Sequence, residues 1–172
     1  YYKVLNDMFD VMLRGDIYSY GGWRATLTPT YWKRYRYSGR LNLAVQHTRI
    51  LSNDPKKEYE VNKSFNLQWA HSVDPKAWPG QSFQASVNAG STQFNRYNGS
   101  NPTINFNNQL YSSITYTKNW DNKFNLSLIA DHNQNSNTRE VQVRLPDGSF
   151  TVNNFYPFQQ KEFVGEAKWY EK

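Results

Sequence analysis

Apolar and polar residues alternate along most of the chain. The clearest case is residues 123–135, where Phe124 and Leu126 alternate with Asn125. Successive side chains of a strand point to opposite faces, so such a segment has one apolar face and one polar face. Comparable alternation occurs in residues 10–20, 23–34, 40–50, 63–73, 81–94 and 141–145, and residues 104–119 alternate less cleanly. Residues 149–156 are expected to return as the partner strand of 141–145. The pattern predicts about nine or ten strands and no helix.

The connections between these segments are short. Gly21-Gly22, Asp121-Asn122 and Pro146-Asp147-Gly148 carry turn signals, and longer loops are expected at residues 51–62, 74–80 and 95–103. Sequential strands with short connections predict an all-β antiparallel meander, a single segment over residues 1–172. We expect this segment to continue at both ends into a longer chain.

Which face of the sheet is inside separates two fold classes. The apolar face is the core of a soluble sandwich, whereas in a transmembrane β-barrel it meets lipid and the polar face lines a lumen. Amide and hydroxyl side chains dominate the polar face, with few Lys or Glu, and this favours a lumen. The predicted lumen-facing residues are Arg14, Asp16, Arg24, Asn42, Gln46, Asn66, Gln68, Gln84, Ser86, Asn88, Asn125 and Ser127.

Aromatic residues gather where the predicted strands end, as in the interfacial girdles of membrane barrels. The predicted girdle and lipid-headgroup residues are Trp23, Trp32, Arg34, Tyr35, Arg36, Tyr37 and Trp69. The basic and aromatic run 32–40 also resembles a nucleic-acid surface. It straddles a turn between amphipathic strands, which favours anchoring at a membrane rim, with specific contact to a lipid phosphate as the alternative. A segment of a transmembrane β-barrel is therefore favoured. A secreted glycan-binding β-sandwich and a general porin or receptor barrel stay open.

Composition narrows the chemistry. The net charge of +6 permits anionic partners without selecting one, and the absence of Cys excludes disulfides and thiolate nucleophiles. We find no catalytic arrangement and expect neither an enzyme nor a cofactor. His47 and His71 end consecutive antiparallel strands, so they are expected at opposite rims, and no metal site is predicted for them or for His132. Pro29 lies inside a strand and predicts a local bulge, with a weakened hydrogen-bonded seam as the alternative.

An ordered series of short motifs runs through the chain. It comprises Asn6-Asp7, Phe9-Asp10, residues 15–18, 35–39, 69–72, 74–77, 124–128, His132, Gln134-Asn135, Leu145-Pro146-Asp147, Tyr156-Pro157-Phe158 and residues 169–172. With this series the sequence resembles the barrel region of the LptD family of lipopolysaccharide-assembly proteins, in the form found in Bacteroidetes-type bacteria.

The resemblance implies a barrel in the outer membrane of a Gram-negative bacterium that inserts lipopolysaccharide into the outer leaflet without chemistry. The implied partners are lipopolysaccharide, outer-membrane lipids, a plug lipoprotein and periplasmic transport components, and not nucleic acid. In that family lipid A is thought to leave between the first and last strands while the sugar crosses the lumen. The family's gate residues match no position here. We expect the loops at 51–62 and 95–103 to be extracellular, because outer loops are usually the longer ones.

Overall fold

Nine strands form one sheet in the computed structural model, which describes residues 1–91, 93–94, 109–135 and 137–153. The strands are β1 (Tyr2–Asn6), β2 (Phe9–Ile17), β3 (Trp23–Lys33), β4 (Tyr37–Leu51), β5 (Tyr59–Val73), β6 (Gln81–Gly90), β7 (Gln109–Trp120), β8 (Phe124–Asn135) and β9 (Glu140–Val152). Their spatial order follows the sequence, and each adjacent pair is antiparallel. The predicted all-β antiparallel meander is therefore confirmed.

The strands differ from the predicted segments mainly at their ends. β4 and β5 have 15 residues each, because their ladder runs from Tyr37 opposite Val73 to Leu51 opposite Tyr59. This pairing shortens the predicted 51–62 loop. β1 was not predicted and forms by pairing with β2. The predicted loop 95–103, residues 104–108 and 154–156 of the predicted strands, and the motifs at 156–158 and 169–172 lie outside the described residues.

The turn predicted at Pro146-Asp147-Gly148 is wrong. β9 continues through these residues, and its register against β8 shifts between Ile129 and Asp131. The signal that predicts a turn in an isolated sequence therefore marks a bulge here. Pro146 lacks an N–H group, and β9 is the last strand of the described sheet, where a missing donor is tolerated.

The bulge predicted at Pro29 is also wrong. Pro29 stays in register with Val11 of β2, and the register between β3 and β4 is the same before and after it. The ladder to β4 instead lacks pairs at Thr28 and Pro29, because proline has no N–H to donate. The Thr28 hydroxyl bridges to β4 by donating to Asn42 Oδ1 at 3.1 Å.

The meander gives the sheet two ends. The connections β1–β2, β3–β4, β5–β6 and β7–β8 lie at one end, called the Tyr35 end. The connections β2–β3, β4–β5 and β8–β9 lie at the other, which also holds Phe94 and is called the Phe94 end. At the Phe94 end, a short 3-10 turn over Ser19–Gly21 joins β2 to β3, with Gly21 at φ +82°, as the Gly-Gly signal predicted. The described residues contain no helix that is long and apolar enough to cross a membrane.

Candidate functional site

The register assigns each strand side chain to one of two faces. Asp16 lies opposite Arg24 and Arg24 opposite Gln46, whereas Leu13 lies opposite Leu27. Followed across all pairs, the register places every residue predicted to face a lumen on one face, called the polar face. The other face, called the apolar face, carries most of the Leu, Val and Phe residues.

Toward the Phe94 end of β4 and β5, burial on the two faces is the reverse of that in a soluble sandwich. On the polar face Gln46 and Asn66 are 2% and 6% exposed, whereas on the apolar face Leu13 and Phe65 are 49% and 48% exposed. The described residues form a single sheet, and none of them builds a second layer over the apolar face. Toward the Tyr35 end the polar face is open, and Gln68 and Ala70 are exposed there.

Cross-strand hydrogen bonds link the side chains of the polar face. Asn42 Nδ2 donates to Gln68 Oε1 at 3.4 Å, and Asn66 Nδ2 donates to Asn88 Oδ1 at 3.3 Å. Further along the sheet, Asn119 Nδ2 donates to Asn125 Oδ1 at 2.6 Å. Neutral groups that bond to one another in this way satisfy a partly enclosed surface without burying charge.

Four arginines lie on the strands of the polar face, and three of them have defined partners. Arg14 Nε pairs with Asp16 Oδ1 at 3.0 Å, Arg144 Nη2 pairs with Asp131 Oδ2 at 2.9 Å, and the Arg24 guanidinium lies 5.3 Å from the Phe94 ring centroid. Of the predicted lumen residues, Arg14 and Asp16 thus form an ion pair along β2, and Arg24 makes a cation–π contact. The fourth arginine, Arg40, is exposed and has no ion pair within the described part of the chain.

A segment after β6 folds back over the polar face at the Phe94 end. Phe94 is 5% exposed, and its carbonyl accepts a hydrogen bond from Gln46 Nε2 at 3.1 Å. Asn62 Nδ2 donates to Gln93 Oε1, and Ser91 Oγ accepts from the backbone N–H of Phe65. Sequence reasoning missed this contact. Its one signal was the position of Phe94 on the polar parity of the predicted strand 81–94.

A depression of about 510 Å³ crosses the polar face near the Tyr35 end. We call it the transverse depression. Two adjacent cross-strand rows from β3 to β7 line it: Trp32, Ser38, Ser72, Gln84 and Thr115, then Thr30, Arg40, Ala70, Ser86 and Ser113. Only Gln84 and Ser86 of this set were among the predicted lumen residues.

The predicted girdle residues occupy several places. Tyr37 and Trp69 lie on the apolar face at the Tyr35 end, in an aromatic cluster around His71. Trp23 stacks on His47 toward the Phe94 end, with ring centroids 6.2 Å apart. Arg34, Tyr35 and Arg36 form the turn between β3 and β4. Trp32 lies on the polar face, opposite Ser38, and so does not join Tyr37 and Trp69.

The histidines are placed far apart along the sheet. His71 lies opposite Gly39 of β4, whereas His47 lies eight residues further along β4, about 27 Å at 3.3–3.4 Å per residue. His71 Nδ1 is 2.9 Å from the Tyr31 hydroxyl, and His132 Nδ1 is 3.4 Å from Ser112 Oγ. Across the described residues, no cluster of three or more His, Asp or Glu side chains could hold a metal ion.

Comparison with known proteins places this sheet in a family. A family model described as LptD protein matches residues 1–172. No curated protein sequence matches the chain, and no solved structure does. The chain therefore belongs to the LptD protein family, whose members are outer-membrane proteins of lipopolysaccharide transport and assembly rather than enzymes.

Proposed function

We propose that the polar face lines the lumen of an outer-membrane β-barrel that inserts lipopolysaccharide into the outer leaflet. The observation that carries this proposal is the exposed apolar face of the sheet. Leu13 and Phe65 are 49% and 48% exposed, and no second layer among the described residues covers them. Large exposed apolar side chains on a whole sheet face are costly in water and favourable in lipid.

The two faces suit the two parts of lipopolysaccharide. The amide and hydroxyl groups of the polar face can exchange hydrogen bonds with sugar hydroxyls, so a saccharide loses little hydration energy as it passes. Acyl chains remain in apolar surroundings if they leave through a seam between strands. No bond is made or broken, and the proposed partners are a plug lipoprotein and the periplasmic components that deliver the lipid.

The alternative functions predict different surroundings or a different cargo for the same sheet. A glycan-binding sandwich requires the apolar face to be covered by a second sheet, and the described residues supply none. A general porin shares the orientation of the two faces and differs only in its cargo. The orientation and the cargo therefore need separate experiments.

The orientation is tested with the neighbouring residues Leu67 and Gln68, which lie on opposite faces of β5. Because the chain contains no Cys, Leu67→Cys and Gln68→Cys each introduce one thiol into this segment. In intact outer membranes, we expect a charged maleimide to label Gln68→Cys. Leu67→Cys should resist it and react with a lipid-soluble maleimide. Equal labelling by the charged reagent would contradict a lipid-facing apolar surface.

The cargo is tested by replacing Gln68 or Leu67 with a photoreactive benzoylphenylalanine and probing crosslinks with an antibody to lipopolysaccharide. Resident lipid surrounds Leu67 continuously, whereas cargo passes Gln68 only during transport. Blocking lipopolysaccharide synthesis should therefore remove the Gln68 crosslink and leave the Leu67 crosslink. A Gln68 position that never crosslinks to lipopolysaccharide would favour a general porin.

A further inference from the structure

We propose that the transverse depression binds a phosphate-bearing sugar ring of lipopolysaccharide, with Trp32 against the ring and Arg40 on the phosphate. This inference rests on the proposed function, since it assigns a binding site to the lipopolysaccharide that passes through that lumen. It adds a binding site with a defined chemical preference, which lumen lining alone does not require.

The shape of the depression comes from a local deficit of side-chain volume. Ala70, Ser72, Ser86 and Ser113 form its floor, whereas the polar face elsewhere carries longer amide side chains such as Gln68. The volume of about 510 Å³ falls within the range of roughly 300–1,000 Å³ of small-molecule sites. The floor therefore leaves room for a ring-sized ligand.

Trp32 supplies an apolar surface where neighbouring groups are hydroxyls. It lies on the polar face and is 37% exposed. The ring of a sugar has C–H groups on its flat faces and hydroxyls around its edge. An indole can pack against such a face while polar groups bond to the edge, because aromatic side chains combine a large apolar area with a fixed shape. Ser38 lies directly opposite Trp32 across the β3–β4 ladder and can bond to this edge.

Arg40 supplies the charge. It is the polar-face arginine without an ion pair or an aromatic contact in the described residues, whereas Arg14, Arg24 and Arg144 are engaged. Because Trp32 lies opposite Ser38, two residues before Arg40, the two residues are diagonal neighbours, with Cα atoms roughly 7–8 Å apart. This spacing suits one ring and its phosphate. A guanidinium binds a phosphate with two parallel hydrogen bonds.

The same phosphate chemistry occurs in phospholipid headgroups and in free phosphate. Trp32 favours the sugar, because an indole gains nothing from a small hydrated anion. The assignment therefore requires that Trp32 and Arg40 both contribute to the binding of one ligand.

The test measures binding to the protein purified in detergent from outer membranes. The probe is the phosphorylated oligosaccharide obtained by removing the acyl chains of lipopolysaccharide, titrated by calorimetry. We expect Arg40→Gln to weaken binding about ten-fold or more, as for the loss of a charge-assisted hydrogen bond. Trp32→Leu should weaken it roughly five-fold. Arg49→Gln removes the same charge from the opposite face of β4 and should leave binding unchanged.

Further arms identify the ligand. Enzymatic removal of phosphate from the oligosaccharide should abolish the difference between wild type and Arg40→Gln. Glycerol phosphate and inorganic phosphate should bind at least ten-fold more weakly than the oligosaccharide. The assignment is overturned if wild type fails to bind the oligosaccharide, if Arg40→Gln and Arg49→Gln behave alike, or if either small phosphate binds equally well.

This failure is distinguishable from failure of the proposed function. Binding in detergent requires neither a membrane nor transport. Arg40-dependent binding with equal charged-maleimide labelling at Leu67 and Gln68 would keep the site and reject the lumen. Labelling of Gln68→Cys but not Leu67→Cys by the charged maleimide, together with no oligosaccharide binding, would support the lumen and reject the site.

Discussion

The ring of Tyr31 lies directly over the α-carbon of Gly39, its partner across the β3–β4 ladder. A Cβ atom at Gly39 would lie 2.2 Å from both Cζ and Oη of Tyr31, so only glycine fits beneath the ring. In this position the Tyr31 hydroxyl accepts a hydrogen bond from Trp69 Nε1 at 2.9 Å and also lies 2.9 Å from His71 Nδ1. The small residue therefore allows the aromatic cluster at the Tyr35 end to form.

Gly39→Ala should displace the Tyr31 ring and lower the free energy of unfolding by about 2 kcal/mol, as for other overpacked sites. Gly15→Ala is the matched control, because a Cβ atom at Gly15 meets nothing within 4 Å. Urea unfolding in lipid vesicles, followed by tryptophan fluorescence, measures both variants. Adding Tyr31→Ala to Gly39→Ala should remove the clash, so the two losses should not add. Equal stability of the two glycine variants would contradict the packing of Tyr31 on Gly39.

The orientation of the two faces predicts opposite responses to charge at neighbouring positions. Leu67→Arg places a guanidinium on the apolar face beside Leu43 and should cost about 2–4 kcal/mol if that face meets lipid. Gln68→Arg places it on the polar face, where it can remain hydrated, and should cost less than about 1 kcal/mol. The amount of folded barrel in outer membranes, assayed by heat-modifiable gel migration, reports the difference. Similar losses at both positions would argue against the assignment.

The segment that contains Phe94 should stabilise the polar face at the Phe94 end. Phe94→Ala removes a buried ring that contacts the Arg24 guanidinium and should lower the free energy of unfolding by about 3 kcal/mol. Tyr111→Ala is a suitable control, because Tyr111 also lies on the polar face but is 59% exposed. Urea unfolding in vesicles again provides the measurement. A Phe94→Ala protein as stable as the control would show that these contacts contribute little.

Ser112 extends the contact between β6 and β7 beyond their last ladder pair. Its hydroxyl accepts from the Asn88 backbone N–H at 2.9 Å and donates to the Asn88 carbonyl at 3.1 Å. Ser112→Ala leaves both backbone groups without these partners. If this loss lowers the free energy of local opening by about 2 kcal/mol, hydrogen exchange at the Asn88 amide should accelerate about thirty-fold. Ser113→Ala, on the other face, should leave that amide unchanged; equal acceleration in both variants would contradict the role of Ser112.

Local periodicity was sufficient to predict much of the sheet. Alternation around Phe124 and Asn125 predicts strands with two unlike faces, because the side-chain period of a strand is two. Short connections predict the meander, since sequential strands pair when little chain separates them. The predicted lumen residues share one face for the same reason. The family was also recognisable from ordered motifs spread over the chain.

The sequence alone did not determine where strand pairing is interrupted, where a strand bulges, or which distant segment contacts the sheet. The Pro-Asp-Gly signal at residues 146–148 became a bulge because pairing with β8 continues on both sides of it. Phe94 lies over Arg24, seventy residues earlier in the chain, and no local pattern encodes that contact. Trp32 and Arg40 become neighbours only through the β3–β4 register. Period two assigns a side chain to a face, whereas the register between strands decides which side chains meet on it.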